Sequence, residues 1–245
     1  MFTIALAQCR RPEDGDVVRN ARAFVRRAAG AGADLIVFPE AFMSRFDGSV
    51  ERFCAASQPL DGAFPQAIDA LANEFNLWVA YTISEHNPGG LPFNTAIITD
   101  ASGAQRGAYR KTHLFDKQGE RESAYTAAGD ALMPPIKAPF ATIGLAICYD
   151  LRFPEVTAAA AANGADLMLF PSAWVDGPDK VNQWKTLLRE RAAENAIHVA
   201  GVSSVDPNRA GHSCVFAPDG TLLAEAGANE ELLLCRCETT GEAAC

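Results

Sequence analysis

The chain alternates short, almost uniformly apolar runs with longer segments in which apolar residues recur every three or four positions. The runs TIALAQC at 3–9 and TIGLAIC at 142–148 predict strands that are buried on both faces. The longer segments predict amphipathic helices, and regular alternation of the two kinds of element favours an α/β protein. The predicted helices span residues 16–30, 64–75, 154–163 and 180–195.

The two halves of the chain share one pattern. GADLIVFPEAF at 32–42 returns as GADLMLFPSAW at 164–174, and LWVAYTIS at 77–84 returns more weakly as IHVAGVSS at 197–204. A hairpin turn marked by Ser-Gly or Asp-Gly lies in the later part of each half. Each half is therefore predicted as strand, helix, strand, helix, strand and hairpin. Because no linker rich in Pro, Gly or Ser separates the halves, two sheets sharing one core are the simpler interpretation.

The composition and charge of the chain argue against several classes of function. The 245 residues are 49% hydrophobic and 21% charged, which is enough apolar material for a large core. The formal net charge is −9 and the basic residues are scattered, so we expect no nucleic-acid partner. The first residues, MFTIALAQC, include no basic leader and form too short a run for a membrane span, so we expect a cytoplasmic protein without membrane contact. Seven cysteines without CxxC spacing predict free thiols and no zinc site.

The candidate chemistry lies at predicted strand ends. Reactive groups in open α/β sheets gather at the carboxyl ends of strands, where Glu40 and Cys148 are both expected. Partial desolvation after an apolar run would raise the pKa of Glu40 towards that of a useful general base. Cys148 is a candidate nucleophile. Each residue also has a structural interpretation when it is considered alone. Glu40 could cap the following helix, and Cys148 could be one buried thiol among seven.

A third segment, YRKTHLFDKQGERES at 109–123, places basic residues in a strand-like stretch. Lys111 beside a thiolate would lower the pKa of the thiol and stabilise a developing oxyanion. A charge run is also typical of a solvated surface. Asp150 and Arg152, two residues apart after Cys148, are expected to form an ion pair that shapes the following loop.

Three segments together resemble the signature blocks of the nitrilase superfamily of carbon-nitrogen hydrolases. They are FPE at 38–40, RKTHLF at 110–115 and CYDLRFPE at 148–155, and they occur in the family's order. The resemblance is strongest to the amidase branch that includes the omega-amidases. It implies a four-layer α-β-β-α sandwich with an internal pseudo-twofold repeat, formed as a single domain over residues 1–245.

The resemblance also implies a reaction. The expected activity is hydrolysis of a non-peptide C–N bond of a small amide through a cysteine thioester, with release of ammonia and a carboxylic acid. N-carbamoyl amines or amino acids are the alternative substrates, and neither a metal nor an organic cofactor is implied. By resemblance, Glu40 is the general base, Lys111 the oxyanion stabiliser, Cys148 the nucleophile and Glu122 the residue that positions the lysine and the substrate.

Four further residues are candidates for substrate binding. Tyr149 supplies a backbone N–H next to the nucleophile, and Trp174 follows a predicted strand end. Arg45 lies in the loop after the candidate base, where a guanidinium can hold a carboxylate by two hydrogen bonds. A solvated loop arginine or an ion-pair partner of Asp47 is the alternative interpretation. His113 is a candidate for the pocket wall, although a packed or capping role is also typical of a histidine in this position.

Two other function classes stay open. A thiol hydrolase would pair Cys148 with His113 or His212 and would not need Glu40. A non-enzymatic binding protein is less favoured because the three catalytic residue types are all present. The expected partner is a small-molecule amide. A homodimer is an open expectation, because relatives continue into a longer tail that packs across a dimer interface, whereas this sequence ends CRCETTGEAAC.

Overall fold

The apolar runs form strands and the amphipathic segments form helices, as the sequence pattern predicts. The structure is a computed structural model in which residues 1–117 and 119–238 are described. The helices are α1 (Val17–Gly30), α2 (Val50–Ala56), α3 (Ala63–Phe75), α4 (Pro154–Ala162) and α5 (Lys180–Asn195). The strands are β1 (Phe2–Gln8), β2 (Leu35–Val37), β3 (Trp78–Glu85), β4 (Phe93–Thr99), β5 (Gln105–Arg110), β6 (Ile136–Lys137), β7 (Thr142–Leu145), β8 (Leu167–Ser172), β9 (His198–Ser203), β10 (Cys214–Phe216), β11 (Leu222–Glu225) and β12 (Glu231–Cys237).

The described strands form two six-stranded sheets with the same topology. In the first sheet β1, β2 and β3 are parallel, β4 and β5 continue antiparallel, and β12 pairs antiparallel with β1. In the second sheet β7, β8 and β9 are parallel, β10 and β11 continue antiparallel, and β6 pairs antiparallel with β7. This correspondence confirms the internal repeat that the sequence predicts.

The strand β12 is not predicted by the sequence pattern. It pairs with β1 along its whole length, from Phe2 opposite Cys237 to Gln8 opposite Glu231. The end of the chain therefore completes the first sheet at the edge that β6 occupies in the second. Residues 239–245, on which the expectation about a dimer tail falls, lie outside the described residues.

Alternate residues of each strand face opposite sides of the sheet, as the pleat requires. In β1, Ile4 and Leu6 belong to the same buried cluster as Ile143 of the second sheet, whereas Ala5 and Ala7 pack with residues of α1 and α3. Helices α4 and α5 pack against the second sheet. The layer order is therefore α-β-β-α, as expected from the resemblance.

Two observations bear on the remaining expectations from composition. The helices within residues 1–117 and 119–238 are all too short or too polar to cross a membrane. The cysteines in these ranges are free thiols, and Cys245 lies outside them.

Candidate active site

Glu40 and Cys148 follow strands that belong to different sheets. Strand β2 ends at Val37 and strand β7 at Leu145, so each residue lies three positions beyond a parallel strand. Both therefore lie at the carboxyl ends of strands, where sequence reasoning places them. Cys148 and Glu40 line the same cavity, which therefore joins the two halves of the chain.

The backbone is strained at Cys148 and at the residue that follows Glu40. Cys148 has a φ of +45°, and Ala41, next to Glu40, has a φ of +57°. A residue other than glycine in this left-handed region costs about 1–3 kcal/mol and is found where the surrounding structure enforces it. At Cys148 the strained residue begins a 3-10 turn, Cys148–Arg152, which redirects the chain from β7 towards α4.

Lys111 lies between two buried carboxylates. Its Nζ donates to Glu40 Oε1 and to Glu122 Oε2, each at 2.8 Å, and the exposed fractions of the three residues are 2%, 8% and 6%. The amide of Asn94 links the same carboxylates, since its Nδ2 donates to Glu40 Oε1 at 2.9 Å and to Glu122 Oε1 at 3.1 Å. The backbone N–H of Phe115 donates to Glu122 Oε2 at 2.7 Å. These bonds fix the ammonium group in one position.

Burial and charge act in opposite directions on the pKa values of this cluster. Burial lowers the pKa of Lys111, but the charges of Glu40 and Glu122 outweigh it and hold this pKa well above its ordinary value. Burial raises the pKa of Glu40, but the charge and hydrogen bond of Lys111 bring it below its ordinary value. The expected rise in the pKa of Glu40 is therefore wrong, because an ammonium group lies 2.8 Å from the carboxylate. Both groups are ionised at neutral pH.

The pKa of the Cys148 thiol is raised rather than lowered. Burial raises it, the charge of Glu40 raises it further, and the charge of Lys111 offsets these effects only in part. Lys111 lowers the pKa of the thiol, as predicted, but burial and the charge of Glu40 together outweigh its effect. At neutral pH the pair consists of a thiol and a carboxylate, and the carboxylate is near enough for its charge to raise the pKa of the thiol.

The cluster opens onto a cavity of about 170 Å³. Tyr149, Trp174 and Arg45, which sequence reasoning assigns to the substrate site, all line this cavity. One part of the wall is an aromatic stack in which the rings of Phe46 and Tyr125 lie 3.8 Å apart. Further residues of the wall that sequence reasoning missed include Phe53, Asn94, Phe115, Glu120, Arg152, Lys180, Asp206 and Arg209.

His113 does not line the cavity. Its ring stacks on Phe153 with the centroids 3.6 Å apart, and its Nδ1 lies 2.8 Å from Asp150 Oδ1. The expectation that His113 belongs to the substrate site is therefore not met, because these two contacts hold the ring in a packed position. The other candidate histidine, His212, also lies off the cavity wall, with its Nδ1 3.4 Å from Glu225 Oε1.

Asp150 is a fully buried carboxylate that supports the turn beginning at Cys148. It accepts hydrogen bonds from the backbone N–H of Ile147 at 2.9 Å, the hydroxyl of Tyr109 at 2.9 Å and the backbone N–H of His113 at 3.1 Å. Tyr109 and His113 flank Lys111 in the sequence. The carboxylate therefore fixes the turn that begins at Cys148 relative to the segment that carries the ammonium group.

The predicted ion pair between Asp150 and Arg152 is wrong. Arg152 Nη2 donates to Gln183 Oε1 at 3.2 Å, and its guanidinium lies 5.0 Å from the centroid of the Trp174 ring. The prediction assumed that the strand continues past Cys148, which would place the two side chains on one face. The 3-10 turn instead directs the carboxylate inward and the guanidinium towards the cavity.

Comparison with known proteins places the fold and this site in a family. The model of the carbon-nitrogen hydrolase family matches residues 3–239. The chain belongs to the carbon-nitrogen hydrolases. Deaminated glutathione amidase from Rattus norvegicus is 36% identical over 230 residues, covering 86% of this chain and 69% of the relative. Omega-amidase from Homo sapiens is 32% identical over 246 residues, covering 95% of this chain and 87% of the relative.

Solved structures of carbon-nitrogen hydrolases share the fold. Nit3 from Saccharomyces cerevisiae, a member of branch 10 of the nitrilase superfamily, has a TM-score of 0.84 and 30% identity, covering 96% of this chain and 89% of that one. A mutant amidase from Nesterenkonia sp. AN1 has a TM-score of 0.83 and 28% identity, covering 96% of this chain and 93% of that one. Its structure shows the result of Michael addition of acrylamide at the active-site cysteine.

Some relatives are longer than this chain. The nitrilase and fragile histidine triad fusion protein from Caenorhabditis elegans is 32% identical, and the chain spans 56% of its length. The family model and the amidase relatives together identify a hydrolytic amidase of the nitrilase superfamily that resembles the omega-amidases, as the sequence motifs indicate.

Proposed function

We propose that this amidase cleaves the C–N bond of a small linear amide through a thioester on Cys148 and releases ammonia and a carboxylic acid. The observation that carries the proposal is that Cys148, the Glu40 carboxylate and the Lys111 ammonium line one cavity, with the ammonium 2.8 Å from the carboxylate. A nucleophile, a base and a cation thus share one cavity. Its volume is below the roughly 300–1,000 Å³ of pockets for drug-sized ligands, which supports a small substrate.

The first half of the proposed reaction forms the thioester. Glu40 accepts the thiol proton as the sulfur of Cys148 bonds to the amide carbon, and the electron pair of the C=O π bond moves to oxygen. The ammonium of Lys111 and the backbone N–H of Tyr149 stabilise this oxyanion. Protonated Glu40 then donates its proton to the amide nitrogen. The oxyanion electrons re-form C=O, the C–N bond breaks and ammonia leaves.

The second half hydrolyses the thioester. Glu40, again a carboxylate, accepts a proton from water while the water oxygen bonds to the thioester carbon. Collapse of the second oxyanion breaks the C–S bond, and the proton on Glu40 returns to the sulfur of Cys148. Through both halves Glu122 holds the Lys111 ammonium in place by its 2.8 Å hydrogen bond.

The competing Cys-His mechanism has less support. Both candidate histidines lie off the cavity wall, where Asp150 holds His113 and Glu225 lies next to His212. The carboxylate of Glu40, in contrast, lines the same cavity as the thiol, and its charge raises the pKa of the thiol.

Glu40→Gln tests the proposed base. We expect kcat to fall by about a hundredfold or more, because a general base contributes roughly 10²–10⁴ in rate. Ammonia release would be measured over short amides, N-carbamoyl amines and nitriles, a panel that also distinguishes the candidate substrate classes. His113→Asn and His212→Asn are controls that should keep most of the turnover. An active Glu40→Gln with an inactive histidine variant would instead support the Cys-His mechanism.

We also propose that Arg45 binds a carboxylate on the substrate. Arg45 lines the cavity, and its neighbour Asp47 is paired with Arg52 at 2.8 Å instead. Arg45→Met should raise KM about tenfold for short amides bearing a distal carboxylate and spare neutral amides, because a hydrogen bond to a charged group contributes about 1.5–3 kcal/mol. Steady-state ammonia release from both substrate types is the measurement. Equal effects on both types, or none, would remove Arg45 from the binding site.

A further inference from the structure

The cavity wall is positively charged although the chain as a whole is acidic. Outside the catalytic cluster the wall carries four cationic and two anionic side chains, in a chain whose formal net charge is −9. A cleft lined by an excess of one sign of charge concentrates ligands of the opposite sign. The wall is thus suited to a substrate with a negatively charged group. The cations are Arg45, Arg152, Lys180 and Arg209, and the anions are Glu120 and Asp206.

Arg209 is the cation of this wall that has a buried side-chain nitrogen without a hydrogen-bond partner among the described residues. Its side chain is only 12% exposed, and its Nε is buried without a partner among the described residues. Its Nη1 makes one long contact, 3.4 Å, with the carbonyl oxygen of the preceding Asn208. Burying a charged group is costly unless it is paired and hydrogen-bonded. An anion accepting from Nε and Nη2 would complete the pairing in the two-pronged geometry that guanidinium groups favour.

The backbone holds Arg209 in a fixed relation to the catalytic groups. Arg209 forms an isolated β-bridge with Val175, and the N–H of the next residue, Ala210, donates to the carbonyl oxygen of Trp174 at 2.9 Å. The residue before Trp174 is Ala173, whose N–H donates to Glu40 Oε2 at 2.9 Å. The position of the guanidinium is therefore tied to that of the proposed base through one short, hydrogen-bonded segment.

Glu120 is a weak counter-ion for this guanidinium. Its Oε1 lies 4.0 Å from Arg209 Nη2, at the outer limit of an ion pair, and its side chain is 45% exposed. Exposed ion pairs contribute little to stability, so this contact is easily replaced. A carboxylate on a bound substrate would compete with Glu120 for the same guanidinium edge.

We propose that Arg209 is a specificity-determining residue that binds a carboxylate of the substrate, and that Glu120 is the counter-ion which this carboxylate replaces. The inference rests on the proposed amidase function and adds to it a second residue for the substrate carboxylate, Arg209, together with its counter-ion Glu120. It predicts opposite effects for the two side chains: loss of Arg209 weakens binding of anionic amides, and loss of the Glu120 charge strengthens it.

The test compares succinamic acid, an amide with a distal carboxylate, with succinamide, its neutral diamide of the same length. For Arg209→Gln, KM for succinamic acid should rise about tenfold to a hundredfold, the range for a lost hydrogen bond to a charged group, while KM for succinamide changes less than about twofold. For Glu120→Gln, KM for succinamic acid should fall about two- to fivefold. Arg209→Lys should restore part of the lost affinity because it keeps the charge.

Arg26→Gln is the matched control, since it removes the same charge from an exposed residue of α1 away from the cavity. It should leave both KM values unchanged. Thermal unfolding and alkylation of Cys148 verify that each variant keeps its fold and site. Equal effects of Arg209→Gln on the two amides, or a higher KM for succinamic acid in Glu120→Gln, would overturn the inference while leaving the amidase function intact. A wild-type protein that hydrolyses no amide would overturn both.

Discussion

Replacing Cys148 with alanine is expected to abolish ammonia release and to leave the protein folded. Only the sulfur of this residue can form the proposed thioester, so kcat should fall by at least about ten-thousandfold, as when a nucleophile is removed from a hydrolase. The unfolding temperature should change little, because the side chain is small and alanine adopts the same backbone conformation as readily. Ammonia release and thermal unfolding are the two measurements.

Cys54→Ala is the matched control for this prediction. Cys54 is another partly buried free thiol, located in α2 and away from the cavity wall. This variant should keep full turnover and should still be alkylated at Cys148. Wild-type turnover in Cys148→Ala would show that the thiol is one of several structural cysteines and that the reaction takes another course.

Replacing Lys111 with methionine should lower turnover by about a hundredfold or more. Methionine keeps much of the packing volume but removes the charge that faces the oxyanion, and loss of one oxyanion donor costs roughly 10²–10³ in kcat. It also leaves Glu40 and Glu122 without the ammonium that they share. Steady-state ammonia release measures the loss.

The same variant should change the pH dependence in a defined direction. Lys111 lowers the pKa of Glu40, so without it burial dominates and this pKa rises. The acidic limb of the kcat/KM profile reports the base in the free enzyme and should move to higher pH. Lys111 also lowers the pKa of the Cys148 thiol, so alkylation should require a more alkaline solution.

Lys117→Met, which removes the same charge from an exposed residue nearby, should change neither turnover nor either pH profile. Unchanged turnover and an unchanged alkylation profile in Lys111→Met would show that the ammonium has no part in the reaction.

Strands buried on both faces could be predicted from sequence because burial removes polar residues from every position. The parallel strands β1, β2, β7 and β8 are such runs, and their repetition in the two halves indicates two equivalent sheets. Strand β12 leaves a weaker signal. Its residues alternate between exposed and buried positions, and its partner β1 lies more than two hundred residues earlier in the chain. Pairing between edge strands that lie so far apart in the chain leaves no pattern in the local sequence.

The site was predictable where chemistry needs a particular side chain at a strand end, as at Glu40 and Cys148. Groups that act through tertiary contact left no such signal. The backbone N–H of Ala173 and the amide of Asn94 both donate to Glu40, yet neither a backbone group nor a single asparagine at the start of a strand identifies its partner in the sequence. Arg209 also left no signal in the sequence, because its burial depends on the packing of residues 174–176.

The directions of the pKa shifts could not be predicted from single runs of sequence. Burial alone favours a neutral Glu40, but the result depends on how many counter-charges lie within hydrogen-bonding distance. In the structure the ammonium of Lys111 outweighs burial at Glu40, whereas burial and the charge of Glu40 outweigh the ammonium at Cys148. This balance is set by side-chain geometry across the two sheets.

The mass of the peptide containing Cys148 during turnover tests the central claim most directly. Protein mixed with a hydrolysed amide, quenched in acid within one turnover and digested, would be analysed by mass spectrometry. The thioester mechanism predicts an increase equal to the mass of the amide minus that of ammonia, located on Cys148 and lost when turnover is allowed to finish. An unmodified Cys148 peptide, with the acyl group found on another residue, would contradict it.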